Sequence, residues 1–523
     1  MRGTNGARWW PRILSYSGYS PVSTSDRHKF IGKDVESMTQ EEPRKAEFGE
    51  RHVLITLLFF GFAVVYAMRV NLSVAIVAMV KNRPRTKKVS LDVDDDTCPL
   101  PASQNLQDSG EESTGEFEWD EQTQGMVLGC FFYGYLMTNY IGGRLAERYG
   151  GRLVYGLGVT LTAAFTVISP YAARHSTGAF VFIRMLEGMT EGVTFPAMNV
   201  MMSYWIPPQE RARSLTQSVG GCQFGTVITL SISGWLSQTE WGWPSVFYVF
   251  GVLGLVWGWF WFKYAHDSPD QHPRITAAEK LYIKQGVGDH RKSESLPVPW
   301  HSILTSTPFL VVIVTHVGNN WGFYCLLTEL PTYLKNMQHY DMKENGVVSA
   351  LPYLLMWVFS LSYSRYMDHL LEKQVLSTRQ IRRLSMIIGN YIPMIAVLLV
   401  PWAGCDGRLA VALICLAVGA TGATFCGFHC AFQELAPNFA GTLTGISNTL
   451  ATIPGFLAPE ITGAIINNQQ TLSRWKEVFQ LVSIVYFIVC TLYLIFMSPE
   501  VQPWNEGHSE KRYKWFGRKH VKH

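Results

Sequence analysis

Three charged side chains stand inside a long apolar stretch of this sequence. The segment VFIRMLEGMTEG, residues 181–192, contains Arg184, Glu187 and Glu191. Their i, i+3, i+7 spacing places all three on one face of a helix. Because a charge at the centre of a bilayer costs at least about 2.5–3.5 kcal/mol, we expect this face to point to a polar interior. A buried carboxylate beside an arginine can carry a proton, so Glu187 and Glu191 are predicted to act in coupling or gating.

A second intramembrane cation lies in the segment YAMRVNLSVAIVAM, residues 66–79, where Arg69 is near the middle. The planar guanidinium fork suits a carboxylate or a phosphate. Arg69 and Arg184 on different helices therefore predict a pocket for a small anion. Two structural alternatives remain open. In one, Arg69 neutralises a glutamate; in the other, Arg184 and Glu187 form an ion pair that only holds helices in register.

Further polar groups occur in HVGNNWGFYCLLTELPTYL, residues 316–334. The amides of Asn319 and Asn320 and the phenol of Tyr324 suit a solute that bears hydroxyl groups. We assign these three residues, with Arg69 and Arg184, to the substrate site. Glu329 is expected near the outer end of its helix, in contact with solvent.

The elements that must position these residues are apolar blocks of about 20 residues, long enough for helices that cross the roughly 30 Å hydrocarbon core of a bilayer. The chain has 523 residues, of which 48% are hydrophobic and only 16% are charged. This composition predicts an all-α, polytopic membrane protein. The twelve predicted spans cover residues 53–80, 120–142, 153–172, 178–205, 214–237, 245–265, 308–335, 346–368, 385–402, 408–433, 442–466 and 476–497.

Two long polar connections divide the spans. Loop 81–119 follows the first span, and linker 266–307 separates the first six spans from the last six. Secondary transporters are often built from two related halves with the substrate site between them. The sequence therefore predicts two pseudo-symmetric six-helix bundles, residues 53–265 and 308–497, between a polar tail at 1–52 and a basic tail at 498–523.

The distribution of Lys and Arg predicts the orientation of the helices. Loops after even-numbered spans and the C-terminal tail are rich in these residues, and loops after odd-numbered spans contain few. Loop 81–119 is the exception, and long loops translocate largely regardless of charge. Both termini are therefore predicted to be cytoplasmic. The first 50 residues contain no apolar segment followed by a cleavage site, so no cleaved signal peptide is expected.

Several classes of protein are excluded by what the sequence lacks. A net charge of +4 without a basic stripe does not indicate a nucleic-acid binder. Nine scattered cysteines without a CxxC pair indicate neither a zinc site nor a disulfide framework. There is no paired nucleophile and base, no HExxH and no phosphate loop, so we predict neither an enzyme nor an ATP-driven pump. Cys98 and Cys405 both fall on the predicted non-cytoplasmic side, where they could form a disulfide.

The turn GGRLAERYGGR, residues 142–152, follows the second span. We predict that Arg144 and Arg148 act in gating, by pairing with acids on a neighbouring helix end in one conformation and releasing them in the other. The alternative is that they only determine topology under the positive-inside rule.

The turn resembles the loop motif of the major facilitator superfamily. Seven further runs are similar to the anion:cation symporter family of sialin, the vesicular glutamate transporters and the type I sodium/phosphate cotransporters, with sialin the most similar. These runs, which lie within residues 50–505, are RVNLSVAIV, FEWDEQTQGMVLGCFFYGY, EGVTFPAMN, PPQERAR, NWGFYCLLTELPTYL, ENGVVSALPYL and GISNTLATIPGFLAPEI. The resemblance implies two bundles that alternate access around a central anion site. It also implies that Arg69 and Arg184 contact the substrate, and that Glu187 and Glu191 serve proton coupling or gating.

Departures from the family narrow the expected substrate. The vesicular glutamate transporters have a histidine at the position of Leu128 and an arginine at that of Asn319, which argues against glutamate. Sialin has a histidine at the position of Asn199, so sialic acid does not follow either. The N-terminal tail contains no acidic dileucine signal like that of sialin, and the plasma membrane and a lysosomal or vesicular membrane both remain open.

Together these features predict a secondary active symporter that needs no cofactor and moves a small organic anion, such as an acidic sugar or another carboxylate, with H⁺ or Na⁺. A sodium-dependent phosphate cotransporter is the main alternative, and an anion channel is the other. The sequence does not determine the oligomeric state. The predicted partners are a small anionic solute and the lipid bilayer, with no nucleic acid.

Overall fold

The computed structural model describes residues 49–81, 96–99, 115–287, 298–467, 469–498 and 500–506. Side chains are not described at 140, 208, 209, 211 and 212. Most of the predicted tails and most of loop 81–119 therefore lie outside the described residues.

The N-terminal half contains seven helices in the region of the first six predicted spans. The fourth span is divided at Gly192 and Val193, immediately after Glu191. The Ser176 side chain accepts a hydrogen bond from the Ala179 amide and so caps the helix that carries the three charges. The helices are α1 (Glu50–Met79), α2 (Glu121–Tyr149), α3 (Gly151–His175), α4 (Thr177–Glu191), α5 (Thr194–Trp205), α6 (Pro208–Leu236) and α7 (Pro244–Tyr264).

The linker between the halves contributes the short helices α8 (Ala277–Val287) and α9 (Trp300–Leu304). Arg51 at the start of α1 is buried and holds α8 in place. Its guanidinium donates to Glu279 of α8 at 3.0 Å and to Glu210 of α6 at 3.1 Å. Helix α8 is therefore attached to the N-terminal half, whereas Ile303 of α9 packs in a core of the C-terminal half.

The C-terminal half contains the remaining six predicted spans, several of which have irregular turns. The ninth span has a π-helical turn at Ile387–Tyr391, and the tenth has a 3₁₀ turn at Gly422–Cys426. The helices are α10 (Thr307–Asn336), α11 (Met342–Glu372), α12 (Thr378–Met386), α13 (Ile392–Leu399), α14 (Gly407–Thr421), α15 (Phe428–Leu435), α16 (Ala440–Leu450), α17 (Ile453–Ile466) and α18 (Leu472–Phe496).

The all-α prediction is confirmed. Among the described residues there is no strand, and the one β-type contact is a single bridge between Val80 and Phe117. Within the same residues, nine helical segments are long and apolar enough to cross a membrane by length and composition. The predicted spans 120–142, 178–205 and 214–237 are also helical but fall outside these nine. Spans 120–142 and 214–237 are more polar on average than the other spans, and span 178–205 is broken into two short helices.

Each half has its own apolar core. Phe62, Trp205 and Trp261 are buried in that of the N-terminal half. The core around Tyr333 and Trp475 in the C-terminal half also contains residues from α1 and α2, including Val70, Phe131 and Phe132. The segment of α1 that carries Arg69 therefore packs against the C-terminal half.

Cys98 is bonded to Cys405, a disulfide that the sequence left open. Asp96 in the same loop accepts hydrogen bonds from the Leu472 amide at 2.9 Å and from the Ser473 hydroxyl at 2.9 Å. The loop between α1 and α2 is thus attached to the C-terminal half. We call this end of the helices the disulfide end and the opposite end, which carries α8 and α9, the linker end.

The two halves meet closely at the disulfide end. A Cβ atom on Gly125 of α2 would lie 2.4 Å from the carbonyl oxygen of Pro459, and one on Gly234 of α6 would lie 2.5 Å from that of Met342. Such backbone approaches need glycine. Towards the linker end, a Cβ on Gly441 or Gly445 of α16 would meet nothing within 4 Å. The halves are therefore packed together at the disulfide end, whereas α16 has open space beside it.

Candidate functional site

Arg69 of α1 and Glu191 of α4 form an ion pair inside the protein. Arg69 Nε donates to Glu191 Oε1 at 2.7 Å, and its Nη2 contacts the same oxygen. The Arg69 side chain is 3% exposed and that of Glu191 is fully buried. Glu191 is the last residue of α4, so its carboxylate lies where the helix is interrupted. The alternative that Arg69 neutralises a glutamate is thus realised in this conformation.

Arg184 and Glu187 form the second buried pair, one helical turn earlier on α4. Arg184 Nη1 donates to Glu187 Oε2 at 2.5 Å. The Arg184 guanidinium also donates to the backbone carbonyls of Met68 at 3.3 Å and Arg69 at 3.4 Å. Both arginines therefore meet at one turn of α1, and the predicted face of α4 points into the protein rather than to lipid.

The two carboxylates differ in how firmly they are held. Glu187 is bound through both oxygens, because Oε1 accepts a hydrogen bond from Ser169 Oγ of α3 at 2.6 Å. Glu191 is bound through Oε1 alone, and its buried Oε2 has no hydrogen-bond partner among the described residues. Glu187 is thus fixed between two helices, whereas only Arg69 holds the carboxylate of Glu191.

Aromatic rings surround the Arg69 guanidinium. Its central carbon lies 4.5 Å from the ring centroid of Tyr66, 4.7 Å from that of Tyr135 and 5.3 Å from that of Phe131. The electron-rich ring faces attract a cation and exclude water at the same time. They offset part of the cost of placing this charge inside the protein.

A small cavity connects the two arginines with the C-terminal half. Leu327 and Thr328 of α10 line it together with Arg69, Arg184 and Leu128. Its volume of about 10 Å³ has room for about one water molecule. An organic anion therefore needs a wider opening between the halves than this conformation provides.

Tyr324 belongs to the same region. Its ring centroid lies 4.7 Å from that of Phe132, which also lines the cavity, and its side chain lies near Arg69. Asn319 and Asn320 are engaged elsewhere. The Asn319 amide donates to Asn390 Oδ1 at 3.0 Å and the Asn320 amide to the Ala451 carbonyl at 2.7 Å. Neither lines the cavity, because both side chains bond within the C-terminal half.

Arg144 and Arg148 are exposed at the linker end of α2. Arg144 pairs with Glu147 of its own helix at 3.3 Å, and the Arg148 guanidinium lies 5.4 Å from the Tyr149 ring. Arg152 belongs to the same turn. Its Nη2 donates to the Phe262 carbonyl at 2.5 Å, which fixes this end of α3 to α7.

The expectation that Glu329 contacts solvent is wrong. The residue is 4% exposed, and its Oε1 has no hydrogen-bond partner among the described residues. It lies seven residues, about 10 Å along the helix, before the end of α10. Packing of α18 against this part of α10 covers it. The sequence showed the acid but not the helix that buries it.

A metal site is not suggested by the arrangement of side chains. Within the described ranges, no group of three or more His, Cys, Asp and Glu residues could hold an ion.

Comparison with known proteins gives matches over most of the chain. The family model of the Major Facilitator Superfamily matches residues 58–459. Sialin from Ovis aries is 38% identical over 503 residues, which are 94% of this chain and 99% of the relative. A putative inorganic phosphate cotransporter from Drosophila melanogaster is 36% identical over 92% of this chain and 90% of the relative. Vesicular glutamate transporter 2 from Homo sapiens is 34% identical over 87% and 75%, respectively.

Solved structures match the fold at low sequence identity. A D-xylose-proton symporter superposes with a TM-score of 0.63 and 11% identity, over 87% of this chain and 98% of that one. A bacterial homologue of the human lysosomal transporter Spinster, in an inward-facing and occupied conformation, superposes with a TM-score of 0.60 and 13% identity, over 86% and 97%. These likenesses confirm the predicted fold.

Proposed function

We propose that this chain is a symporter for a small organic anion. The chain belongs to the major facilitator superfamily and, within it, to the family of sialin, the putative inorganic phosphate cotransporters and the vesicular glutamate transporters. Proteins of this family move solutes across membranes and are not enzymes. The prediction that this chain is not an enzyme is therefore confirmed. The coupling ion in the proposal is H⁺ or Na⁺. The substrate is an acidic sugar or another carboxylate.

One observation carries the proposal. Two buried guanidinium groups, Arg69 and Arg184, line a cavity between the halves, and buried carboxylates balance their charge. Breaking a buried ion pair by removing one partner costs about 3–5 kcal/mol, because a charge is left uncompensated. An incoming carboxylate avoids this cost when it takes the place of the protein's own.

The proposed mechanism uses the difference between the two glutamates. Protonation of Glu191, or binding of a cation to it, removes the negative charge beside Arg69. The substrate anion then engages Arg69 and Arg184 from the cavity, with Tyr324 as a hydrogen-bonding group. Glu187 remains bound to Ser169 and positions Arg184. Rocking of the halves closes the linker end, opens the disulfide end and exposes the site to the other side.

Phosphate is the second candidate substrate. The guanidinium groups that suit a carboxylate also suit a phosphate, and the Drosophila melanogaster relative is named as a putative inorganic phosphate cotransporter. In that case Na⁺ would be the coupling ion, in line with the alternative drawn from the sequence.

We also propose the orientation and membrane. Both termini face the cytoplasm, and the disulfide end faces the opposite side. The Cys98–Cys405 bond supports this orientation, because disulfides persist in oxidising compartments and are rare in the cytosol. The protein resides in the plasma membrane or in a lysosomal or vesicular membrane.

The test is a counterflow assay with the purified full chain in liposomes. A panel of labelled carboxylates, acidic sugars and inorganic phosphate is offered with Na⁺ present, with Na⁺ replaced and with a pH gradient imposed. We expect accumulation of an organic anion that depends on one of the two cations. Accumulation of phosphate alone would favour the second candidate. Currents that reverse at the anion's equilibrium potential without cation coupling would indicate a channel and overturn the proposal.

A further inference from the structure

Glu329 is a buried acid that the proposed mechanism does not use. It lies on α10, is 4% exposed, and has no basic partner within ion-pair distance among the described residues. Its Oε1 also lacks a hydrogen-bond partner there. We infer that Glu329 is a second proton-binding site, in the C-terminal half and separate from the two arginine–glutamate pairs.

The surroundings of Glu329 are apolar. It lines a small cavity between α10 and α18 with Leu330, Trp475, Val478 and Phe479. An ionised carboxylate in such a place, without a counter-ion, is far more costly than the neutral acid. The uncharged, protonated form is therefore the one that this closed site can hold.

No charge reaches Glu329 from the elements packed around it. On α10, the titratable neighbours one turn away are Cys325, whose Sγ lies 3.6 Å from Thr462 Oγ1 of α17, and Tyr333, whose hydroxyl accepts from Gln338 at 3.0 Å. The residues that α18 contributes to the cavity are Trp475, Val478 and Phe479, which do not titrate in the physiological range.

The charged residues nearest in sequence on α18 and α17 are exposed or bonded elsewhere. Lys476 is exposed, and Glu460 of α17 accepts a hydrogen bond from the Tyr133 hydroxyl at 2.6 Å. Arg474 and Glu477 pair with each other at 3.2 Å, and both side chains are substantially exposed. On α11, Asn345 donates to the Pro331 carbonyl at 2.7 Å. A proton, rather than a metal cation, fits Glu329, because a hard cation needs several oxygen ligands and this cavity offers one carboxylate.

The position of Glu329 connects it to the central cavity. Leu327 and Thr328, which line that cavity beside Arg69, are its immediate predecessors on α10. Pro331 cannot donate a hydrogen bond to the Leu327 carbonyl, so this turn of the helix can bend. A bend that widens the central cavity also changes the burial of Glu329. The carboxylate then exchanges its proton with bulk water, and only the O–H bond forms or breaks.

Infrared difference spectroscopy of the purified full chain during a pH titration tests the site directly. We expect the wild type to show a protonated carboxylic acid band at neutral pH that Glu329→Gln removes. The matched control is Glu477→Gln, because Glu477 is an exposed glutamate, with 51% of its side chain accessible, near the same end of the helices. The band should persist in that control. An unchanged band in Glu329→Gln would overturn the inference.

A second variant keeps the test decisive if Glu329→Gln does not fold. Glu329→Asp retains an acid at the same position but changes its environment, so the band should shift in frequency. A band at the wild-type frequency would assign it to another residue and refute the inference. Neither readout requires transport, and the result therefore stands whether or not the proposed substrate class is right.

Discussion

Arg69 and Glu191 stand 122 residues apart in the sequence, yet they form a buried ion pair between α1 and α4. The carboxylate is bound through one oxygen only, while the guanidinium also lines the cavity between the halves. A negative solute that reaches this cavity therefore competes with Glu191 for Arg69.

Glu191→Gln is expected to uncouple transport from the driving ion. The amide has nearly the same shape as the acid but cannot alternate between charged and neutral forms, so the negative charge beside Arg69 is permanently absent. We expect the dependence of uptake on pH or Na⁺ to fall by at least about tenfold, which corresponds to about 1.4 kcal/mol. Initial rates in proteoliposomes measure it, with Glu477→Gln as the control. A pH or Na⁺ profile identical to that of the wild type would remove Glu191 from coupling.

Arg144→Ala and Arg148→Ala are expected to lower the maximal rate and leave the apparent substrate affinity unchanged. The Arg144 side chain is 80% exposed at the linker end, away from the central cavity. Arg144 is predicted to pair with an acid on a neighbouring helix end only when the linker end closes. Concentration dependence of uptake separates the two parameters, and Arg474→Ala at the disulfide end is the control. Wild-type maximal rates in both variants would favour the alternative that Arg144 and Arg148 only determine the topology of the protein in the membrane.

Removal of the Cys98–Cys405 disulfide is expected to destabilise the protein. The bond joins residues 307 positions apart, and cross-links of this kind typically contribute about 2–4 kcal/mol. Cys98→Ser combined with Cys405→Ser should lower the melting temperature in detergent, while Cys430→Ser should change it little. Modification of both Cys98 and Cys405 by maleimide in untreated protein would show that the bond is absent.

Glu116, which lies outside the membrane-spanning segments, is expected to make the stability of the fold depend on pH. A hydrogen bond from the Arg174 guanidinium lowers the pKa of the Glu116 carboxyl. Because the pKa is lower in the folded state, this pair stabilises the fold above the ordinary glutamate pKa of about 4.3, and the contribution is lost as the pH falls through the folded value. The side chain is 41% exposed, so we expect less than about 1 kcal/mol.

Thermal unfolding from pH 7 down to about pH 3 tests this contribution, with Glu116→Gln as the comparison. The variant should be slightly less stable than the wild type at neutral pH, and the two should converge in acid. A constant difference across the range would show that the ion pair does not contribute.

The sequence predicted the spans and the inward face of α4, because apolar periodicity and the cost of intramembrane charge leave few alternatives. It could not predict which carboxylate Arg69 would meet, since that depends on how α1 packs against α4. The same limit applies to Asn319 and Asn320, whose amides bond to Asn390 and Ala451 in other spans. The irregular turns in the fourth, ninth and tenth spans were not predicted either, because helical periodicity continues through them.

Glu329 shows the limit most clearly. Its position near the end of the predicted span suggested contact with water. Whether a side chain near a helix end is exposed, however, depends on the neighbouring helices. Packing against α18 buries the carboxylate, and nothing in the local sequence of α10 records that contact.

Uptake by Arg184→Ala is the most direct test of the central claim that two buried guanidinium groups receive the anion. Arg184 contacts Glu187 and the backbone of α1 and lines the cavity. Arg184→Ala combined with Glu187→Gln avoids an unpaired buried carboxylate and controls for misfolding. Cell-surface labelling establishes the amount of protein, and uptake of the anion identified by counterflow is then measured. We predict that both variants reach the membrane and that their uptake falls to background. Uptake at the wild-type rate by either variant would contradict the account.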